Sequence, residues 1–212
     1  MESRYDSVYE QIISELRQSY DRMVDERESK ELAPWKDQER KDFLSLLQDE
    51  GSSRLLEIGA GTGVHGKFFH DHGMQVVCTD LSPEMVKRCS EKGLESYVMD
   101  FLHLTFPKNS FDAVFAMNCL LHVPKEDLPQ VLEGIYELLR KKGLFYLGQY
   151  GGVGLDGKYE GDHYRPKRYF SFITDELLMA LAQDMFQVVS FKTIELEEEV
   201  KFHFQSLVLR KD

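Results

Sequence analysis

The sequence predicts an α/β fold built on a mainly parallel β-sheet. From residue 51 onward, strand-like and helix-like segments alternate, which is the pattern of a parallel sheet with helices on both faces. Near the end, the strand-like runs 186–194 and 201–209 are separated only by the acidic turn 195–199. Because no helix lies between them, they are expected to pair antiparallel as a hairpin. Five earlier strands and this hairpin give a seven-stranded sheet.

The strands are predicted from short apolar runs that end at glycines or acidic residues. The first run, which contains Glu57, breaks into glycines, and the next two end at Asp80 and Asp100. The fourth begins at Phe111 and is apolar enough to lie centrally in the sheet. The predicted strands before the hairpin are 54–58, 75–79, 95–99, 111–117 and 144–150.

The helices are predicted from capping residues and apolar spacing. Gly73, Gly93 and Gly143 stand where helices should end, at a position that favours glycine. Ser82 followed by Pro83 starts a helix, since serine can accept from free N–H groups and proline fits the first turn. The predicted helices of the alternating region are 64–72, 83–92 and 128–139, the last with an apolar stripe at helical spacing.

Composition argues against several classes of partner. A net charge of −11 disfavours nucleic acid, which needs a basic face. Cys78, Cys89 and Cys119 have no CxxC spacing, so we expect reduced core thiols rather than disulfides or zinc ligands. No run approaches the roughly 18 apolar residues of a membrane span, and the first residues lack an apolar leader. We therefore expect a cytoplasmic monomer or homodimer without membrane or nucleic-acid partners.

The segment from Glu57 to Gly63 indicates the ligand. Its three alternating glycines let a ligand lie against bare backbone, and the following helix directs N–H groups and its positive dipole end at that ligand. Glu57 would repel a pyrophosphate but attract an ammonium group. S-adenosylmethionine combines an adenosine with a cationic amino acid and lacks phosphates. The competing dinucleotide pattern GxGxxG at 61–66 starts two residues too late for the strand that it should end.

These motifs and their order resemble the class I S-adenosylmethionine-dependent methyltransferases, especially the small-molecule, methyltransferase type 11-like branch typified by ubiquinone-biosynthesis enzymes. The matching places are 57–63, Asp80, the pair Asp100 and Phe101, and 111–122, while the family's LxPGG signature is degraded at 139–143. The resemblance implies a Rossmann-like, doubly wound fold. It also implies cofactor contacts from Glu57, Gly59, Ala60, Gly61, Gly63, Asp80, Leu81, Met85, Asp100, Phe101, Asn118, Cys119 and Leu120.

Asp80 and Asp100 each have a binding and a structural interpretation. At the end of the second strand, Asp80 can accept both ribose hydroxyls, whereas helix capping is already supplied by Ser82. Asp100 matches the acid near the adenine amino group in the resembled family, but it can also cap the short segment after the third strand.

Three residues are candidates for contact with the methyl acceptor. His122 follows the fourth strand at the ligand-facing edge, where a neutral imidazole can take a proton; alternatively, it orders the turn that follows. Tyr20 and Tyr150 are the next candidates. Tyr20 and Trp35 could also cap the methionine end of the cofactor, or serve as packing residues.

The remaining polar residues are assigned less specific roles. The basic run 165–168 in the lid either attracts a carboxylate-bearing substrate or only solvates its loop. His65, His70 and His72 are expected on a solvated helix face, and their spacing predicts no metal site. His203 is expected to be a half-buried strand residue.

We predict a single domain of four parts with methyltransferase activity on a small-molecule acceptor, a peptide being the alternative. Because the sulfonium methyl is already activated, alignment in line at about 3 Å should suffice without a metal. The rivals are a non-catalytic S-adenosylmethionine-binding sensor or partner subunit and, less favoured, a nicotinamide-dependent oxidoreductase. The parts are a helical cap at 1–50, a cofactor-binding core at 51–150, a substrate lid at 151–172, and a C-terminal helix and hairpin at 173–212.

Overall fold

The computed structural model describes residues 4–196 and 201–212, and the side chains of all of these except 4–7. The strands are β1 (Arg54–Ile58), β2 (Gln75–Asp80), β3 (Glu95–Val98), β4 (Phe111–Met117), β5 (Leu139–Gly151), β6 (Leu155–Lys158), β7 (Tyr169–Phe172), β8 (Gln187–Ile194) and β9 (His203–Arg210). The helices are α1 (Arg4–Asp21), α2 (Val24–Ser29), α3 (Pro34–Asp49), α4 (Val64–Asp71), α5 (Pro83–Glu91), α6 (Leu128–Leu138) and α7 (Asp175–Gln183), with a one-turn 3₁₀ helix at Leu120–His122.

Seven of the strands form one sheet in the order β3-β2-β1-β4-β5-β9-β8. The first five strands pair in parallel, and β9 pairs antiparallel with both β5 and β8. The mainly parallel seven-stranded sheet and its antiparallel C-terminal hairpin are therefore confirmed. Most of the predicted acidic turn of that hairpin, 197–199, lies outside the described residues.

Helices cover both faces of the sheet, as a doubly wound fold requires. Alternation along β4 sends Val114 into the core formed with α6 and α7, and Ala113 and Phe115 into the core formed with α3 and α4. Phe43 of α3 and Phe69 of α4 are fully buried against Phe115 on that second face. No helix among the described residues is long and apolar enough to cross a membrane.

The junction between α6 and β5 differs from the prediction. The helix ends at Leu138 and the strand begins at once, five residues earlier than expected. Gly143 does not end the helix: a Cβ there would lie 2.9 Å from the carbonyl oxygen of Asp112. Because glycine has no Cβ, the start of β5 can pass close to β4 at a register shift between the two strands. The helical stripe and the strand were both predicted, but this close approach was not.

The predicted lid has structure of its own. After β5, the chain forms a separate antiparallel pair in which Leu155 of β6 pairs with Phe172 of β7. Phe170 and Phe172 are buried with Leu121 in a small apolar cluster beside the end of β4. This cluster fixes the lid against the edge of the sheet at which the parallel strands end.

Asp112 fastens the opposite end of β4 to its neighbours. Its Oδ2 accepts from the backbone N–H of Ser53 at 3.0 Å and of Arg54 at 2.9 Å, and its Oδ1 accepts from Arg140 at 2.6 Å. Burial raises the pKa of Asp112, but the hydrogen bonds from Arg54, Ser53 and Arg140 outweigh it, so the pKa lies below its usual value. The ionised carboxylate therefore links the starts of β1, β4 and β5.

Replacing Asp112 with alanine should destabilise the sheet without touching the other edge. Hydrogen bonds to a charged group contribute about 1.5–3 kcal/mol, so a drop in melting temperature of roughly 5–10 °C is expected for a chain of this size. Because the pKa is lowered in the fold, this stabilisation should be present above about pH 4 and lost as the pH falls through the lower folded pKa. Thermal denaturation at pH 7 and pH 3 measures both effects, with Asp49→Ala on α3 as the control; equal melting curves for the two variants at pH 7 would contradict the assignment.

Candidate active site

The glycines of the loop after β1 have a left-handed backbone conformation. Gly59 and Gly61 have φ values of 62° and 56°, a region that favours glycine. A Cβ on Gly59 would lie 2.3 Å from the Cβ of Cys119, whereas a Cβ on Gly61 would meet nothing within 4 Å. Gly59 is therefore needed for packing, and Gly61 leaves an open cradle in which a ligand can approach the backbone.

Asp80 joins the glycine loop to the end of β2. One carboxylate oxygen accepts from the Gly61 N–H at 2.8 Å and the other from the Ser82 N–H at 2.9 Å. As predicted, Ser82 itself caps α5, since its Oγ accepts from the Met85 N–H at 3.2 Å. Burial raises the pKa of Asp80, which is consistent with a carboxylate held at the base of a cleft.

Glu57 lies beneath the loop rather than on its open side. Its side chain is buried, and its Oε2 lies 3.6 Å from the Sγ of Cys78. A Cβ on Gly66 would lie 2.6 Å from the same oxygen, so this glycine gives the carboxyl its room under α4. Burial raises the pKa of Glu57 to about 8. Direct contact with an ammonium group remains a prediction.

A small cavity of about 20 Å³ lies between the edge of the sheet and the front helix α1. Asp100 borders it, and its carboxylate accepts from the Leu102 N–H at 2.9 Å while contacting His103, so it also orders the local turn. Tyr9 of α1 is buried there, and its hydroxyl has no hydrogen-bond partner among the described residues. The cavity is lined mainly by Tyr9, Leu16, Leu81, Met99, Asp100 and Phe101.

The other predicted cofactor residues lie around the loop. The Ala60 N–H donates to the Thr79 carbonyl at 2.9 Å, and Cys119 lies within 3.2 Å of the Ile58 carbonyl. Asn118 has a left-handed φ of 56°, and its buried Oδ1 has no partner among the described residues. Met85 and Leu120 are almost fully buried behind the loop, and Gly63 begins α4.

His122 is a buried hydrogen-bonding centre at the end of β4. Its Nδ1 lies 2.6 Å from the Tyr169 carbonyl, which can only accept, so Nδ1 carries the proton. Its Nε2 then accepts from the Tyr20 hydroxyl at 2.6 Å. Burial, followed by the charge of Arg168, lowers the pKa of His122 to about 3. The imidazole is neutral near pH 7, and both of its nitrogens have partners.

Arg168 completes this cluster from the lid. It donates to the Tyr20 hydroxyl at 3.2 Å and to Asp162 at 2.7 Å, and it lies 3.6 Å from the centre of the Tyr164 ring. Lys167 likewise pairs with Glu160 at 2.5 Å. The basic run 165–168 is thus engaged within the lid. The prediction that these residues only solvate a loop is wrong, and they offer little free charge to a substrate.

The remaining candidates have packing or pairing roles. Trp35 packs on Phe204 with ring centres 4.6 Å apart, and Tyr150 contacts the same ring at 5.6 Å. His65 is half-buried against Phe115 rather than solvated, which corrects the prediction for that residue. His203 is half-buried as predicted and contacts Asp175 at 2.8 Å. The described residues contain no group of three or more potential metal ligands.

Sequence reasoning missed three residues of the site. Tyr9, Arg27 and Lys36 were not singled out as site residues. Arg27 lies 5.4 Å from the Tyr20 ring, and Lys36 lies 5.2 Å from the rings of both Trp35 and Tyr150. The spacing of apolar residues in α1 could have suggested Tyr9, but no local signal distinguishes these two cations from surface ones.

A family model described as a methyltransferase domain matches residues 56–147, which include the glycine loop, Asp80, Asp100 and His122. Residues 56–147 therefore form a methyltransferase domain of the class I S-adenosylmethionine-dependent type. The cofactor of this methyltransferase domain is S-adenosylmethionine. The match therefore disfavours the alternative of a nicotinamide-dependent oxidoreductase.

Known relatives resemble the methyltransferase domain over part of their length. An uncharacterised methyltransferase of Schizosaccharomyces pombe is 34% identical over 122 residues, covering 53% of this chain and 46% of the relative. A ubiquinone biosynthesis O-methyltransferase of Xanthomonas oryzae pv. oryzae is 33% identical over 115 residues, covering 51% and 47%. The chain thus spans about half the length of these curated relatives.

A solved structure resembles the whole chain. The 1,6-didemethyltoxoflavin-N1-methyltransferase of Burkholderia thailandensis, solved with 1,6-didemethyltoxoflavin and S-adenosylhomocysteine, superposes with a TM-score of 0.72 at 20% identity. It covers 100% of this chain and 91% of its own. At this identity the similarity establishes the fold of the methyltransferase domain and its flanking segments.

The two glycines of the loop should respond differently to alanine. Gly59→Ala should strongly destabilise the protein, since its Cβ would clash with Cys119. Gly61→Ala should cost only about 1–2 kcal/mol of backbone strain but weaken S-adenosylhomocysteine binding at least tenfold, because its Cβ enters the open cradle. Thermal denaturation and calorimetric titration measure the two effects. Normal affinity in a folded Gly61→Ala protein would place the ligand elsewhere.

The neutral state of His122 should make stability depend on pH. Because its pKa falls from about 6.5 unfolded to about 3 folded, its contribution is complete above pH 6.5 and is lost as the pH drops toward 3. At pH 5 the loss should reach about 2 kcal/mol. Urea denaturation of wild type and His122→Asn at pH 7 and pH 5 measures how much free energy of unfolding each protein loses at the lower pH. The variant should lose about 2 kcal/mol less than wild type. An equal loss in the two proteins would contradict the assigned pKa.

Proposed function

We propose that the protein transfers a methyl group from S-adenosylmethionine to a small-molecule acceptor without a metal ion. The observation that carries this proposal is the gathering of the Gly61 cradle, Asp80 and Asp100 at the ends of β1, β2 and β3, within the methyltransferase domain. Ligands of open α/β sheets bind at this edge. The net charge of −11 supports a small acceptor over nucleic acid, and the buried free cysteines support a cytoplasmic location.

The residues at this edge fit the cofactor. The cradle over Gly61 has room for a ligand against the backbone. The Tyr9 hydroxyl and the Asn118 Oδ1 have no hydrogen-bond partner among the described residues, so both can bind polar groups of a ligand. In the proposed complex, Asp80 accepts the ribose hydroxyls, Asp100 faces the adenine, and Glu57 serves the ammonium end directly or through water. The cofactor supplies an activated methyl group, so the protein's contribution is chiefly alignment.

The front segment, which comprises helices α1 to α3, closes the proposed cofactor site. A cavity of about 20 Å³ has room for little more than a water molecule, so α1 must shift to admit an adenine. Polar contacts hold α1 and α2 in the closed position, because Arg17 donates to the Leu81 carbonyl at 3.2 Å and Arg88 pairs with Asp25 at 2.6 Å. We propose that the segment opens for the cofactor and then closes to exclude water from the reaction.

The acceptor is proposed to lie beside Tyr20 and Tyr150, between the front segment and the lid. The Tyr20 hydroxyl donates to His122 and accepts from Arg168, so its orientation is fixed. His122 acts as a positioning residue, since both of its nitrogens are engaged with other parts of the chain. Where the acceptor carries a proton, Tyr20 is the group of this cluster that could contact it.

Calorimetry and product analysis test this function. Wild type should bind S-adenosylhomocysteine, and Asp80→Asn should bind it at least tenfold more weakly, about 1.4 kcal/mol, because a charged acceptor is lost. Asp184→Asn, at the end of α7, is the matched control. A folded Asp80→Asn protein with unchanged affinity would remove Asp80 from the site.

Turnover separates an enzyme from a sensor. With S-adenosylmethionine and a metabolite extract, wild type should release S-adenosylhomocysteine and yield a product heavier by one CH₂ in mass spectrometry. Chelation by EDTA should leave the rate unchanged if no metal takes part. Tight cofactor binding without such a product across extracts and acceptor libraries would favour the sensor or partner subunit.

A further inference from the structure

Two half-buried cations of the front segment lack an acidic partner. Within residues 4–196 and 201–212, neither Lys36 nor Arg27 forms an ion pair with a carboxylate. Burial, followed by the charges of Lys30 and Arg27, lowers the pKa of Lys36 to about 8. Arg27 lies against the Tyr20 ring and beside the Tyr164 hydroxyl, both of which are uncharged. A buried cation normally has an anionic partner, because its desolvation is costly.

Two other cations near the cleft are paired with carboxylates within the chain. Arg168 is held by Asp162 at 2.7 Å, and Arg40, one turn along α3 from Lys36, is held by Asp37 at 2.5 Å. The chain has an excess of acidic residues, 37 against 26 lysines and arginines. A shortage of carboxylates therefore does not account for the lack of an ion pair at Lys36 and Arg27 among the residues that the structure describes.

Lys36 lies near Tyr150, beside which the acceptor is proposed to bind. Its ammonium lies 5.2 Å from the ring of Tyr150, at the end of β5, and 5.2 Å from that of Trp35, which packs on β9. β5 is two strands away from β1, which carries the glycine loop, or about 10 Å at the usual strand spacing. The ammonium thus lies beside Tyr150, one of the two tyrosines next to which the acceptor is proposed to bind.

A further polar group without a partner lies near these cations. The buried Nδ1 of His65 has no hydrogen-bond partner among the described residues. After burial, the charges of Arg40, Lys36 and Arg27 act on this imidazole and help to lower its pKa to about 3. Lys36, Arg27 and the unpartnered His65 ring are therefore close enough to interact electrostatically, and two cations beside a ring nitrogen that can carry a proton match an anion in both charge and hydrogen-bond donors.

We propose that the methyl acceptor is an organic anion whose carboxylate or phosphate group binds to Lys36 and Arg27. This inference rests on the proposed methyltransferase function and names the class of its substrate. The aromatic rings of Trp35, Tyr150 and Tyr20 then border the apolar part of the acceptor. The paired lid cation Arg168 keeps Tyr20 in place and is not itself the anion's partner.

The single tryptophan of the chain gives a direct signal for this site, because Trp35 adjoins Lys36. We would titrate S-adenosylhomocysteine-saturated protein with benzoate, inorganic phosphate and neutral benzamide while recording tryptophan fluorescence. Benzoate or phosphate should give a saturable change, and benzamide should not. Lys36→Met should weaken the anion response at least tenfold, Lys36→Arg should retain it, and Lys41→Met on the same helix should match wild type. Lys36→Gln replaces Lys36→Met if the latter does not fold.

The anion that gives a saturable change in tryptophan fluorescence indicates whether the acceptor carries a carboxylate or a phosphate. The proposal is overturned if neither anion saturates, or if benzamide responds equally. It is also overturned if Lys36→Met weakens S-adenosylhomocysteine binding tenfold and the anions compete with that ligand, because the cations then serve the cofactor's carboxylate. If wild type does not bind S-adenosylhomocysteine at all, the proposed function fails. The same titration of the ligand-free protein then still decides whether Lys36 binds anions.

Discussion

The hydrogen bonds of His122 join three segments that lie far apart in the sequence. The imidazole follows β4, donates to the Tyr169 carbonyl in the lid and accepts from Tyr20 in α1. Because the ring is buried and neutral, each nitrogen has a fixed role, and neither segment can move without leaving a buried polar atom unpaired. Among the described residues, His122 is thus the one whose two ring nitrogens link the sheet edge directly to both the front segment and the lid. Both proposed binding regions lie between these three segments.

Charges of both signs border the cleft. Asp80 and Asp100 lie at the ends of β2 and β3, whereas Lys36 and Arg27, which form no ion pair among the described residues, approach from the front segment. The charge of Arg27 also acts on Asp80. A cationic donor and an anionic acceptor would each meet groups of opposite sign in this arrangement, which favours their approach in line. Closure of α1 would strengthen both interactions by excluding water.

The sequence predicted the scaffold well because its signals are local. Apolar runs, the Ser82 cap and the glycines located nearly every strand and helix of the core within a few residues. Gly143 was misjudged because its close approach to Asp112 depends on a neighbouring strand rather than on its own helix. In the site, too, the local feature was predicted and the tertiary one was not. The glycine loop was located from its sequence, but the burial of Glu57 under α4 was not expected. The contact between Tyr20 and His122 spans 102 residues, and no local pattern encodes it.

Hydrogen–deuterium exchange with and without S-adenosylhomocysteine tests the central claim most directly. If the cofactor binds between the glycine loop and a front segment that closes over it, backbone amides in 57–65, 98–102 and α1 should exchange more slowly together. Slowing in the loop without α1 would show that the front segment is not part of the site. Slowing confined to the β8–β9 hairpin, or its absence throughout a protein that binds the ligand, would contradict the placement of the cofactor.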